Sequence, residues 1–148
     1  MAETDTQDAN ATQRTGQCLC GGVRISIGSA RTHVGACHCN MCRRWSGGPL
    51  LAIDCDQDIK IEGDDNVRVY DSSPWAERAF CSLCGTNLFY RIKESQGHIV
   101  LAGLFDDSDG FDLAAQIFID EKPAYYAFAN ETKTMTGAEV FEMYAPKP

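Results

Sequence analysis

Residues 16–27 read GQCLCGGVRISI, and this stretch indicates how the fold begins. Cys18 and Cys20 are followed by Gly21-Gly22, a pair typical of a tight turn between two strands. The segment VRISIG then alternates apolar and polar residues, as a half-buried strand does. Side chains at i and i+2 of an extended segment share a face, so both sulfurs can reach one ion. The stretch predicts a hairpin that carries a metal-binding cysteine pair.

Short segments rich in β-branched and aromatic residues recur along the chain, separated by Gly, Asp, Ser and Pro. They are QCLC, VRISIG, THVGAC, PLLAIDC, IKIEG, NVRVYDS, ERAFC, TNLFYRI, HIVLAG and AQIFID. Strands at such regular intervals are typical of an all-β domain, and we expect a mainly β fold. Thr136 and Glu139 have the spacing of a capping box before apolar residues, which predicts one short C-terminal helix.

Length and composition limit the class of protein. The chain has 148 residues, and the polar residues 1–15 predict a disordered tail before a single domain at 16–148. There are 13 Lys and Arg against 21 Asp and Glu, and no basic patch with interleaved aromatic residues, so we expect no nucleic-acid partner. No apolar run reaches the roughly 20 residues of a membrane helix. The N-terminal residues do not resemble an export signal, and we expect a cytoplasmic protein with no membrane partner.

Eight cysteines are many for a chain of this length. A reducing cytoplasm keeps thiols free, so clustered cysteines predict metal binding rather than disulfides. Cys81 and Cys84, in CSLCG, have the spacing of a zinc knuckle. Together with Cys18 and Cys20 they supply the four thiolates of a closed, structural zinc site.

Residues 37–42 read CHCNMC and bring only three thiols, those of Cys37, Cys39 and Cys42. Catalytic zinc sites keep three protein ligands and leave the fourth position to water or substrate. The spacing therefore predicts a second, open zinc site.

Two alternatives remain open at this point. A closed second site would need one more ligand, for which the candidates are His38, His33 and Cys55, although an extended segment turns His38 away from its neighbours. Cys55 is otherwise interpreted as a small buried hydrophobic residue. The thiols can also be partitioned differently, into Cys18, Cys20, Cys37 and Cys39 on one ion and Cys42, Cys81 and Cys84 on another.

Three motifs, GQCLCGGVRISI, CHCNMCRRWSGG and ERAFCSLCGTNLFYR, occur in this order and spacing. They resemble the glutathione-dependent formaldehyde-activating enzyme family over about residues 16–128. The resemblance implies the β-tent fold of short antiparallel strands. It also implies a structural zinc on Cys18, Cys20, Cys81 and Cys84, and a second, catalytic zinc on Cys37, Cys39 and Cys42.

The family's activity is the addition of glutathione to formaldehyde, so the resemblance implies a carbon-sulfur lyase with a small thiol and an aldehyde as substrates. A thiol entering the open position would bind as a thiolate. Arg43 or Arg44 could pair with a glutathione carboxylate. Trp45 could cover the site against water. Two other functions stay open: a non-catalytic two-zinc module that binds a partner protein, and a related enzyme that acts on a different thiol.

Overall fold

The structure, a computed structural model, describes residues 13–144. Within them the strands are β1 (Gln13–Gln17), β2 (Arg24–Gly28), β3 (His33–Cys37), β4 (Leu50–Asp56), β5 (Ile59–Glu62), β6 (Val67–Tyr70), β7 (Ala76–Cys81), β8 (Asn87–Ile92), β9 (His98–Leu101), β10 (Asp112–Ile117) and β11 (Lys133–Met135). The α-helices are α1 (Asn40–Ser46) and α2 (Gly137–Tyr144). Single-turn 3-10 helices occur at Asp64–Asn66, Ala102–Leu104 and Ile119–Glu121. The predicted mainly β class with a short C-terminal helix is confirmed.

The described chain forms two compact units, one of residues 13–32 and 52–110 and one of residues 33–51 and 111–144. In the first unit, β1, β2 and β5 form an antiparallel sheet in that order. Strands β4, β9, β8, β7 and β6 follow one another in a second antiparallel arrangement. Strand β2 alternates buried and less buried residues as its sequence predicts, because its apolar positions, Ile25 and Ile27, face the core.

In the second unit, β10 pairs in parallel with both β3 and β11. These two pairings differ from the antiparallel strands expected, whereas the pairings within the first unit are antiparallel. Helix α1 follows β3 after only two residues, so the segment 37–42 runs from a strand end into the first turn of a helix. The capping box of α2 forms as predicted: Glu139 N donates to Thr136 Oγ1, and Thr136 N donates to Glu139 Oε1.

The structure corrects the sequence analysis in three respects. Strand β1 begins at Gln13, so residues 13–15, which were assigned to the tail, form part of a sheet, and residues 1–12 lie outside the described residues. The segment QCLC is not a separate strand; Gln17 ends β1, and Cys18 and Cys20 lie in the turn that joins β1 to β2. Helix α1 and strand β11 were not predicted. Whether the chain is a single domain stays a prediction.

Among residues 13–144, none of the helices combines the length and the apolar character that crossing a membrane requires. The cytoplasmic location and the lack of a nucleic-acid partner stay predictions.

Candidate metal centres

Four cysteine sulfurs converge in the first unit. The ligand atoms of Cys18, Cys20, Cys81 and Cys84 all lie within 4.8 Å of one another. Cys20 Sγ is 3.6 Å from Cys18 Sγ and 3.8 Å from Cys81 Sγ. Four sulfurs placed tetrahedrally at about 2.3 Å from one zinc ion would be about 3.8 Å apart. The sulfurs are therefore spaced as a four-thiolate metal site requires.

Asn66 holds the two cysteine turns of this cluster together. Its side-chain Nδ2 donates to Gly22 O at 3.0 Å, in the turn that carries Cys20. Its backbone oxygen accepts from Ser82 N at 2.7 Å, in the turn that carries Cys81. The backbone at Gly63, three residues before Asn66, lies close to the turn that carries Cys20. A Cβ added at Gly63 would lie 2.0 Å from Gly22 O.

Backbone and hydroxyl groups surround the sulfurs of this cluster. Val23 N donates to Cys18 Sγ at 3.3 Å, and Gly22 N donates to Cys20 Sγ at 3.4 Å. The Thr86 hydroxyl, 3.1 Å from Cys84 Sγ, lowers the pKa of that thiol to about 5. Each of these donors favours the thiolate of the sulfur that it contacts, which is the form that binds a metal ion. At Cys20 the donor from Gly22 is outweighed by desolvation and by the neighbouring cysteines, which raise the pKa of that thiol to about 11.

Three cysteine sulfurs converge in the second unit, at the junction of β3 and α1. The ligand atoms of Cys37, Cys39 and Cys42 all lie within 4.8 Å of one another. Cys39 is the N-cap of α1, and its Sγ accepts from Cys42 N at 3.3 Å. The helical turn thus places Cys42 beside Cys39, while the end of β3 supplies Cys37. The fraction of Cys37 that is exposed is 6% and that of Cys42 is 3%, whereas Cys39 is half-buried.

The close packing of the three thiols opposes their ionisation when no cation is bound. Hydrogen bonds with Cys39 and Cys42, together with burial, raise the pKa of Cys37 above its ordinary range. Three thiolates in one small volume repel one another, so they can all ionise only when a positive charge is shared among them. A thiol that coordinates a metal ion is deprotonated by it.

The side chains considered as a fourth ligand are engaged elsewhere. His38 is 0% exposed, and both of its ring nitrogens form hydrogen bonds, to Tyr126 and Gln116. His33 Nδ1 is 3.0 Å from Asp112 Oδ1. Cys55 is buried in β4, as predicted for a small hydrophobic residue, and its thiol donates to Ile53 O at 3.4 Å. Among the described residues, the second cluster therefore contains three ligands and not four.

Arg43, Arg44 and Trp45 all lie on α1, directly after Cys42. Arg43 is half-buried and its Nε donates to His38 O at 2.8 Å, so this guanidinium holds the backbone between two of the cysteines. Arg44 is exposed, with Nη2 3.5 Å from Asn40 Oδ1. Trp45 is half-buried. The two arginines, which the sequence could not distinguish, differ in their surroundings.

Sequence reasoning missed the residues that surround His38. Gln116 is 7% exposed although it is polar, and Tyr126 lies in a segment without regular secondary structure. A glutamine among the apolar residues of AQIFI was the available signal, because a buried amide requires hydrogen-bond partners. Nothing in the sequence indicated that Tyr126 would lie beside residue 38.

Comparisons with known proteins give a consistent result. A family model described as glutathione-dependent formaldehyde-activating enzyme matches residues 13–121, a range that includes all seven clustered cysteines and ends before Tyr126. An uncharacterized lyase of Schizosaccharomyces pombe is 35% identical over 128 residues, which are 86% of this chain and 93% of that protein. A Halomonas elongata protein provisionally named a glutathione-dependent formaldehyde-activating enzyme is 32% identical over 84 residues, 50% of this chain and 53% of its own.

A crystal structure of a Rhodobacter sphaeroides protein has a similar fold, with a TM-score of 0.53 and 22% identity over 63% of this chain and 88% of that one. The family match covers most of the chain and contains the cysteines of both clusters. The chain belongs to the glutathione-dependent formaldehyde-activating enzyme family.

Proposed function

We propose that the two cysteine clusters are zinc sites with different roles. Cys18, Cys20, Cys81 and Cys84 would hold a structural zinc ion, because four thiolates complete a tetrahedral shell. Cys37, Cys39 and Cys42 would hold a catalytic zinc ion, because three thiolates leave one position open. Thiolate-rich sites select zinc over harder cations such as magnesium and calcium. The sulfur spacings in both units support this proposal.

The function that this arrangement supports best is that of a carbon-sulfur lyase acting on a thiol and an aldehyde, with glutathione and formaldehyde as substrates. Family membership and the names of the relatives support the reaction class. The observation on which the proposal depends is the count of three ligands at the second cluster. A closed site of four thiolates would have no place for a substrate sulfur.

In this proposal the cysteines, Arg44 and Trp45 have different roles. Cys37, Cys39 and Cys42 form the shell, and a zinc ion bound there would lower the pKa of a thiol substrate enough to deliver it as a thiolate. The thiolate sulfur would form a bond to the aldehyde carbon as the carbonyl π bond opens, and the aldehyde oxygen would take up a proton from solvent, which replaces the proton lost by the thiol. Arg44, which is exposed on α1, would pair with a carboxylate of the thiol substrate. The half-buried Trp45 would limit the access of water.

Cobalt substitution tests the open position. The Co²⁺ protein should show a visible spectrum that changes when glutathione is added, because a new sulfur enters the shell of the three-cysteine site. The matched control is Cys39→Ser, which keeps the four-cysteine site and should lose the response. A wild-type spectrum that does not change with any thiol would contradict the proposal and would favour a module that only binds. A response to small thiols without preference for glutathione would keep the open site and exclude glutathione as the substrate.

A further inference from the structure

His38 lies between two of the three clustered cysteines, yet its side chain does not join them. The residue is 0% exposed, and its ring lies 5.5 Å from that of Tyr126 and 6.0 Å from that of Phe128, measured between centroids. All of these residues belong to the second unit. The ring nitrogens bond instead to Gln116 and Tyr126, and the metal-ligating cluster contains the cysteine thiols without His38.

The imidazole of His38 is held at both of its nitrogens. Nε2 lies 2.8 Å from Gln116 Oε1, and this amide oxygen can only accept, so Nε2 donates. The amide of Gln116 is fixed in turn, because its Nε2 donates to Thr132 Oγ1 at 3.0 Å. Nδ1 forms a hydrogen bond of 2.8 Å with the hydroxyl of Tyr126. A buried ring with both nitrogens bonded has one orientation.

The backbone around His38 is fixed as well. His38 N donates to Ile117 O at 3.1 Å, and His38 O accepts from Arg43 Nε at 2.8 Å. Two residues further on, Asn40 N donates to Glu121 Oε1 at 3.2 Å. Hydrogen bonds therefore fix the segment that bears the thiols at three points: the His38 ring, the His38 backbone and the first residue of α1.

We propose that His38 is a positioning residue for the three-cysteine site, and that Tyr126 and Gln116 hold its ring so that Cys37 and Cys39 are preorganised to bind a metal ion. The inference rests on the proposed function, because it takes this cluster to be a metal site. Three thiols bind one ion tightly only when the surrounding structure already holds them at the spacing that the ion requires. Groups behind a ligand shell that fix its geometry typically change metal affinity about 10–100-fold when they are removed.

A histidine that served the core alone would act differently. Loss of one of its hydrogen bonds would lower the stability of the whole chain and weaken both metal sites to the same extent. A positioning residue affects the nearby site selectively. The two clusters lie in different units, so the four-cysteine site is an internal reference.

The test is competition between the zinc-loaded protein and a coloured chelator, which follows the release of the two ions. Tyr126→Phe removes one hydroxyl and keeps the ring. The ion of the three-cysteine site is identified as the one that Cys39→Ser lacks. In Tyr126→Phe we expect this ion to be released at a chelator concentration about 10–100-fold lower than in the wild type, whereas release of the other ion should not change. Tyr125→Phe is the matched control, since that neighbouring side chain is 75% exposed, and it should release both ions as the wild type does.

A second pair of variants tests the other nitrogen. Gln116→Glu keeps an acceptor for His38 Nε2, whereas Gln116→Met removes it. Only Gln116→Met should therefore release the ion of the three-cysteine site at a lower chelator concentration. Unchanged release in both Tyr126→Phe and Gln116→Met, or an equal shift of both ions, would overturn the inference. If the wild-type protein binds only one zinc ion, the proposed function itself fails. If it binds two ions and Tyr126→Phe releases both as the wild type does, the proposed function stands and the role of Tyr126 fails.

Discussion

At the scale of single residues, the two arginines after Cys42 have the same chemistry and different surroundings. Arg43 is half-buried and bonded to the backbone of His38, whereas Arg44 is exposed on the same helix. A guanidinium that already binds a buried carbonyl has less freedom to bind a ligand. Arg44 is therefore the better candidate to recognise a carboxylate of the substrate.

Replacing each arginine by alanine should separate these roles. Arg44→Ala should weaken glutathione binding to the cobalt protein by about tenfold or more, because a hydrogen bond to a charged group is worth about 1.5–3 kcal/mol. Binding of a small neutral thiol should not change. Arg43→Ala should instead weaken retention of the metal, since it frees the backbone at His38. The measurement is a spectroscopic titration of each variant with both thiols, and equal effects on both thiols in Arg44→Ala would contradict the assignment.

The residue types and their spacing favoured the two groups of thiols that the fold brings together, but they left a second partition open. Several strands lie between Cys18 and Cys81 in the sequence, and only the pairing of strands in the folded chain brings these two cysteines together. The surroundings of His38 could not be predicted for the same reason, because Gln116 and Tyr126 are distant from it in the sequence.

At the scale of elements, the strands were predicted more accurately than the short pieces between them. Helix α1 has seven residues and a cysteine as its N-cap, which is not one of the residues that usually mark a helix start. Strand β11 has three residues in a polar segment and pairs in parallel with β10, so no local pattern marks it. Strand β1 lies in a sequence without clear alternation and depends on its pairing with β2.

The turn at Gly63 should be sensitive to substitution, because it touches the first cysteine turn. Gly63 has φ 81°, and a Cβ there would lie 2.0 Å from Gly22 O. Gly63→Ala should therefore lower the free energy of unfolding by about 2–5 kcal/mol, the sum of the left-handed backbone penalty and steric overlap. Gly47 has φ 84° with nothing within 4 Å of an added Cβ, so Gly47→Ala should cost only about 1–2 kcal/mol. Urea unfolding of both variants measures the difference, and equal losses would show that the contact at Gly63 is not important.

At the scale of the whole molecule, a mainly β framework carries two thiol clusters of different composition. The cluster in the first unit draws its thiols from two segments that are far apart in sequence, an arrangement that is typical of structural metal sites. The cluster in the second unit joins one strand to the helix that follows it. The first cluster should therefore matter more for folding, and the second more for chemistry.

Metal content per chain, measured together with thermal unfolding, tests this account most directly. The wild-type protein should contain two zinc ions, and Cys39→Ser should contain one and unfold at nearly the same temperature. Cys81→Ser should lose metal and much of its fold, because a structural zinc ion supplies about 10–16 kcal/mol in small peptides, comparable to or larger than the 5–15 kcal/mol that stabilises a typical domain. Two zinc ions retained in Cys39→Ser, or a wild-type melting temperature in Cys81→Ser, would contradict the division into one open and one structural site.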